Sequence, residues 1–261
     1  MSVIVLDSGI VHYEVLGRGK PLLFLHSWVG SWRYWIPSMQ AMSINYRTYS
    51  LDLWGYGESS KNNRYTLTEQ ADLVNQFMYS MGIMRVVLVG HGLGALAAIY
   101  FALQYPELVD RLMTVSFPLD DGTINPRLST NSPMELAIWL SGRNVDMEPV
   151  LLEASKADAR AIHTSLQEYS NYRLGDLICN FTTPCLYVHG QNDPVVGAPQ
   201  DSRMLDIPPQ SYSIIFEQSG HFPMLDESAR FNRLVLDFLS LPSGESPREL
   251  QLKEEWKRRV R

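Results

Sequence analysis

The nine residues Val86-Val87-Leu88-Val89-Gly90-His91-Gly92-Leu93-Gly94 constrain this chain more than any other stretch. Residues 86–89 form a short, wholly apolar run, the pattern of a strand buried on both faces. Residues 93–104 are rich in Ala and Leu and read as a buried helix. The strand must therefore turn into the helix within three residues. Small residues at 90 and 94 let strand and helix approach closely. The residue between them, at 92, is forced into a strained backbone conformation and stands at the helix N-terminus, where partial positive charge collects.

The rest of the chain repeats the alternation of strand and helix. Residues 3–6 and 11–16 read as an opening hairpin. Residues 22–25, 46–51, 86–89, 112–115, 186–188 and 213–216 read as further strands. Helical spacing marks residues 68–81, with Thr68 as N-cap, and residues 230–239. The expected architecture is an α/β fold with an eight-stranded, mostly parallel sheet, flanking helices and an inserted helical cap. Residues 1–118 and 179–240 make the core. Between 119 and 178 the rhythm breaks, with helical segments 134–141 and 149–168 and no strand between them. We read this as the cap, with Met134, Trp139, Met147 and Tyr169 as its lining. An ordinary helical excursion packed on the core is the alternative. Residues 241–261 form a charged tail in which Leu252, Trp256 and Val260 share one helical stripe. Such a tail either touches a partner or acidic membrane, or folds back as a short helix or frays.

Charge and composition exclude several function classes. A net charge of −6 without a large basic run argues against a nucleic-acid partner. No apolar run reaches the ~18 residues of a membrane span, and the first ten residues do not resemble a secretory signal, so the expected compartment is the cytoplasm. The two cysteines, Cys179 and Cys185, fit neither a disulfide framework nor a zinc pattern. No phosphate-cradling loop is present and residues 90–94 lack dinucleotide spacing, so no cofactor is implied. Oligomerisation is open. Without export, the sequon at Asn180 carries no meaning.

Three loops that follow strands carry the chemistry. After 86–89 comes Gly90-His91-Gly92-Leu93-Gly94. After 186–188 comes His189-Gly190-Gln191-Asn192-Asp193-Pro194. After 213–216 comes Ser219-Gly220-His221-Phe222-Pro223. The first has the spacing of a nucleophile elbow, G-x-S-x-G, with glycine in the serine position, and the order elbow, acid, histidine follows. Leu25-His26-Ser27-Trp28 and Asp52-Leu53-Trp54-Gly55-Tyr56-Gly57-Glu58-Ser59 add two more motifs. Together these five motifs resemble the α/β-hydrolase superfamily, esterase- and lipase-like, over nearly the whole chain to about residue 239. The resemblance implies that Asp193 orients His221, that His221 is the general base, and that the N–H groups of Trp28 and Leu93 form an oxyanion hole. It places His26, Ser27, His91 and Trp139 at the substrate pocket. Asp120 and Asp121, after the strand that ends near Ser116, are an alternative acid.

The chain departs from that pattern twice: Gly92 replaces the nucleophilic serine, and Ser27 stands where glycine is usual. Glycine relieves the turn's strain, so the fold survives while the attacking hydroxyl is lost. Several readings stay open. His221 and Asp193 could activate a water, in the space above Gly92, against a small apolar ester, lactone or carbonyl substrate, or run a lyase step or cofactor-free oxygen chemistry. The site could instead be catalytically dead, in a protein that binds an apolar ligand or signals, with Trp28, Trp32, Trp35, Trp54 and Trp139 near its mouth. The glycine could mark a hydrolase inactivated at 92. The nucleophile could also be relocated, to Ser27 or Ser116.

Overall fold

The computed structural model describes residues 2–119, 123–141, 145–171, 178, 181–199 and 207–256. Eight strands form one sheet: β1 (Ser2–Leu6), β2 (Gly9–Leu16), β3 (Lys20–Leu25), β4 (Tyr46–Leu51), β5 (Val86–His91), β6 (Val109–Val115), β7 (Cys185–Gly190) and β8 (Ser211–Phe216). Their spatial order is β1-β2-β4-β3-β5-β6-β7-β8. β1 and β2 pair antiparallel, as does β2 with β4, and every later pairing is parallel. β5 is buried at all six positions. A parallel strand sandwiched between helices has no polar face to show, which explains its unbroken apolar run.

Among the described residues the helices are α1 (Ile36–Met42), α2 (Leu67–Ser80), α3 (Leu93–Gln104), α4 (Arg127–Thr130), α5 (Pro133–Ser141), α6 (Glu148–Ala154), α7 (Ala159–Ser170), α8 (Pro223–Asp226) and α9 (Ser228–Leu239). The cap of α2 is Thr66 rather than Thr68. Thr66 accepts from the Glu69 N–H while Glu69 reaches back to the Thr66 N–H. That reciprocal box needs an acid three residues on, and three residues beyond Thr68 lies Ala71. β6 starts at Val109, earlier than the apolar run suggests, because Asp110 and Arg111 belong to it. Arg111 is buried. Its guanidinium donates to the carbonyls of Phe238 and Pro242 and lies over the Phe238 ring.

The span 149–168 is two helices, α6 and α7, broken at residues 155–158. Asp158 caps α7 by accepting from the Arg160 N–H, and its own N–H donates to the Gly55 carbonyl. The helices between β6 and β7 lie against loops that leave the sheet's carboxyl edge. Arg33, after β3, pairs with Glu153 of α6 at 2.7 Å, and Trp28 Nε1 donates to Ser165 Oγ of α7 at 3.0 Å. The tail forms 3₁₀ turns at Pro247–Leu252 and Glu254–Trp256 instead of a helical stripe. It folds back on the domain. Trp256 is buried, and its Nε1 donates to Asp237 at 2.7 Å. Val260 lies outside the described residues.

The Asp52 motif is a structural clasp. The carboxylate, fully buried, accepts from the Trp32 N–H at 3.1 Å, the Glu58 N–H at 3.0 Å and His12 Nδ1 at 2.8 Å. Burial opposes its charge, but His12 leads the groups that outweigh burial and hold its pKa down; Asp52 in turn raises the pKa of His12 against burial. Gly57 is glycine because a Cβ there would lie 2.0 Å from Asp52 Oδ2, at a φ of +47°. Asp52→Ala leaves two N–H groups and Nδ1 of the buried His12 without the carboxylate they share. It should cost about 3–5 kcal/mol and lower Tm by roughly 8–15 °C in thermal unfolding followed by circular dichroism.

Candidate active site

β5 ends in the tight turn that the sequence predicts. Gly92 sits at φ +50° and ψ −109°, as the N-cap of α3. Its N–H donates to the Val115 carbonyl and its carbonyl accepts from Leu96. The next glycine, Gly94, admits the β3 end so closely that a Cβ there would lie 2.5 Å from the Leu25 carbonyl oxygen.

Asp193, after β7, and His221, after β8, meet beside this turn. His221 Nδ1 lies 2.9 Å from Asp193 Oδ2 and 3.1 Å from Oδ1. The carboxylate also accepts from the N–H groups of Val195 and Val196 at 2.8 and 3.1 Å. Burial pushes its pKa up, but the charge and hydrogen bond of His221, with Ser116 and the Val196 N–H, hold it at about 2. An ionised Asp193 only accepts, so Nδ1 of His221 carries a proton, and in the neutral imidazole Nε2 presents a lone pair. That lone pair faces Ser27 Oγ at 3.0 Å.

Because Asp193 binds its proton less readily in the folded chain than its usual value of 3.8, it stabilises the fold above that value. The contribution, roughly 2 kcal/mol, is lost as pH falls from about 4 towards 2. Urea unfolding across that window should show the native chain losing this much more than Asp193→Asn. Equal losses would mean that the pair does not carry the charge.

Position 92 has no side chain, yet the space above it is filled. A Cβ on Gly92 would lie 2.3 Å from Ser27 Oγ and 3.0 Å from the Trp28 ring. Ser27 is fully buried and its backbone is fixed on both sides. Its N–H donates to Tyr34 Oη at 2.7 Å. His26 Nδ1 lies 2.7 Å from its carbonyl, and His26 Nε2 accepts from the Leu53 N–H at 3.0 Å. The imidazole is therefore the Nδ1–H tautomer, and burial lowers its pKa and keeps it neutral.

A family model described as alpha/beta hydrolase fold matches residues 20–143. This chain has the α/β-hydrolase fold. The RutD protein of Yersinia enterocolitica is 26% identical over 94% of this chain and 97% of its own. A pimeloyl-[acyl-carrier protein] methyl ester esterase of Vibrio cholerae is 24% identical over 87% and 97%. The enol-lactonase of Burkholderia xenovorans LB400 superposes with a TM-score of 0.80 at 17% identity, covering 92% of this chain and 100% of that one.

Within the α/β-hydrolase framework, the structure brings Gly92, Asp193, His221, Ser27 and His91 together. The rings of His91 and His221 are 4.4 Å apart, and His91 Nδ1 lies 2.9 Å from Tyr34 Oη. Burial first, and the neighbouring His221 second, push the pKa of His91 well below its usual value. It stays neutral, and so leaves room for a positive charge on His221. Neither the Trp28 N–H nor the Leu93 N–H has a backbone acceptor among the described residues. Trp139 is half-buried with the Arg127 guanidinium over its ring. Its neighbours face the histidine instead: a cleft of about 440 Å³ reaches His221 between Leu140, Met147, Pro194 and Phe222. Trp28, Trp35 and Trp54 are interior. Asp120 and Asp121 lie outside the described residues. Tyr34, which ties Ser27 to His91, had no signal in the sequence; it is one aromatic among many.

Ser116, the other serine at this sheet edge, holds the machinery from behind. It takes a φ of +50°, and its hydroxyl lies 3.4 Å from the His221 carbonyl rather than near Nε2. Among the described residues no helix is long and apolar enough to cross a membrane.

Proposed function

We propose that this chain hydrolyses small, largely apolar carboxylic esters or lactones, with His221, backed by Asp193, as the group that moves the proton. The observation that carries this reading is the buried relay Asp193–His221–Ser27 hydroxyl, whose imidazole lines the cleft. Its geometry is that of a base held in one tautomer by a carboxylate and aimed at a polarisable O–H. The likeness to a methyl ester esterase and an enol-lactonase supports the same substrate classes. The N–H groups of Trp28 and Leu93 would receive the oxyanion, helped by the α3 N-terminus. Residues 119–178 would serve as the cap that sets substrate size through Leu140 and Met147. The cytoplasm is the compartment that fits this reading.

The test is a panel of activated esters and lactones offered to the native chain and to His221→Ala. Turnover by the native chain, lost in the variant, is the expected result. No turnover across the panel, or equal turnover by both proteins, would overturn the proposal.

A further inference from the structure

We infer that Ser27 is the nucleophile of this site, moved from the elbow to the loop after β3; this rests on the hydrolase reading above. The elbow and the β3 loop have exchanged side chains. Where the elbow would offer a hydroxyl there is Gly92, and where the loop would be bare there is Ser27. The exchange leaves a hydroxyl beside the imidazole, over the turn at 92. Ser27 Oγ lies 2.3 Å from the point a Cβ of residue 92 would occupy, and 3.0 Å from His221 Nε2. Those two distances put it in the space a side chain at 92 would enter, within reach of the imidazole.

Every other polar group of Ser27 is already committed. The N–H is held by Tyr34 and the carbonyl by His26, so the hydroxyl has His221 for its acceptor. The carboxylate of Asp193 fixes Nδ1–H, and the hydroxyl proton therefore points at Nε2. A surface or capping serine would have no reason to be buried in this way against a histidine–carboxylate pair. The hole is preserved as well. The N–H that follows the nucleophile in sequence now belongs to Trp28, and Leu93 supplies the second from the helix start.

The reaction balances without any co-reactant beyond water. Ser27 Oγ bonds to the acyl carbon as its proton passes to His221 Nε2. The tetrahedral oxyanion collapses, the bond to the leaving alkoxide breaks, and the imidazolium returns the proton to that oxygen. Water, deprotonated by His221, then attacks the acyl-Ser27 ester; the bond to Oγ breaks and Ser27 regains its proton. The sum is ester plus water to acid plus alcohol. Because Ser27 has no exposed surface and the cleft ends on His221, the segment around it must yield when the acyl group enters. Small acyl groups should therefore react faster than bulky ones.

The test treats the whole native chain with a serine-directed fluorophosphonate probe and maps the adduct by peptide mass spectrometry. Hydrolysis is measured in parallel for the native chain and Ser27→Ala, with Tm as the fold check. The expected result is one adduct on Ser27, absent after His221→Ala, and a loss of at least about 10³-fold in kcat/KM for Ser27→Ala. Should Ser27→Ala fail to fold, acid quench of the native chain with an activated ester must show the acyl mass on the peptide that holds Ser27. Hydrolysis that depends on His221 but survives Ser27→Ala, with no adduct or acyl group at 27, overturns this inference and leaves the hydrolase reading standing. An adduct on Ser27 in a chain that turns over no ester or lactone supports the nucleophile and overturns the substrate class. Neither adduct nor turnover overturns both.

Discussion

His221→Ala should lower kcat/KM for any ester or lactone that this chain hydrolyses by about 10²–10⁴-fold, while the protein stays folded. The size follows from what the imidazole does. It takes a proton while a bond to carbon forms, and returns one while another breaks, so its loss leaves only binding and the oxyanion donors, a barrier rise of roughly 3–5 kcal/mol. The fold should tolerate the change, because Asp193 keeps the N–H groups of Val195 and Val196 after the imidazole is gone. Burial of a less satisfied carboxylate costs about 1–3 kcal/mol, a fall in Tm of roughly 2–10 °C. Asp193→Asn should lose activity on a similar scale for a different reason. An amide can donate to Nδ1 and so stabilise the tautomer in which Nε2 bears the proton and cannot accept one. The neutral His91 beside His221 is consistent with this scheme, since a second positive charge 4.4 Å away would oppose the imidazolium. A loss below tenfold in a folded His221→Ala, measured by initial rates with Tm as control, would take the residue out of the chemistry.

The sheet was legible because its strands are nearly all apolar and end at glycine or polar loops. Where an ion sits inside a strand, as Arg111 does in β6, the apolar pattern starts late, and only the partners of the guanidinium explain its burial. The break between α6 and α7 was hidden for a related reason. Residues 155–158 interrupt no periodicity; the turn is set by Asp158 bonding to Gly55 from another part of the chain. Asp193 and His221 were readable from loop position and order. The partner of His221 was not. Sequence shows a glycine at 92 and a serine at 27, 65 positions apart, and treats them as two separate departures. Only the crossing of the β3 loop over the β5 turn makes them one, since it puts the hydroxyl of Ser27 into the space left by Gly92.

That coupling predicts that Gly92→Ser alone is damaging. The new Cβ would arrive 2.3 Å from Ser27 Oγ and 3.0 Å from Trp28, in a backbone held at φ +50°. Neither neighbour retreats without breaking a hydrogen bond. The backbone of Ser27 is tied by Tyr34 and His26, and the Trp28 ring is tied to Ser165. Overpacking of this kind costs about 1–3 kcal/mol, and a non-glycine residue at such a turn about 1–3 more. The sum, roughly 2–6 kcal/mol, should lower Tm by about 5–20 °C. Ser27→Gly by itself removes a hydrogen bond and gives up its acceptor, and should cost about 1–2 kcal/mol. If the two positions share one space, the costs cannot add. Ser27→Gly with Gly92→Ser clears the contact that makes the second change harmful, and should be more stable than the sum of the single variants by at least about 1–2 kcal/mol. A double-mutant cycle from denaturant unfolding measures that difference. Strict additivity would mean that the glycine at 92 and the serine at 27 do not compensate one another, and that the hydroxyl beside His221 is there for another reason.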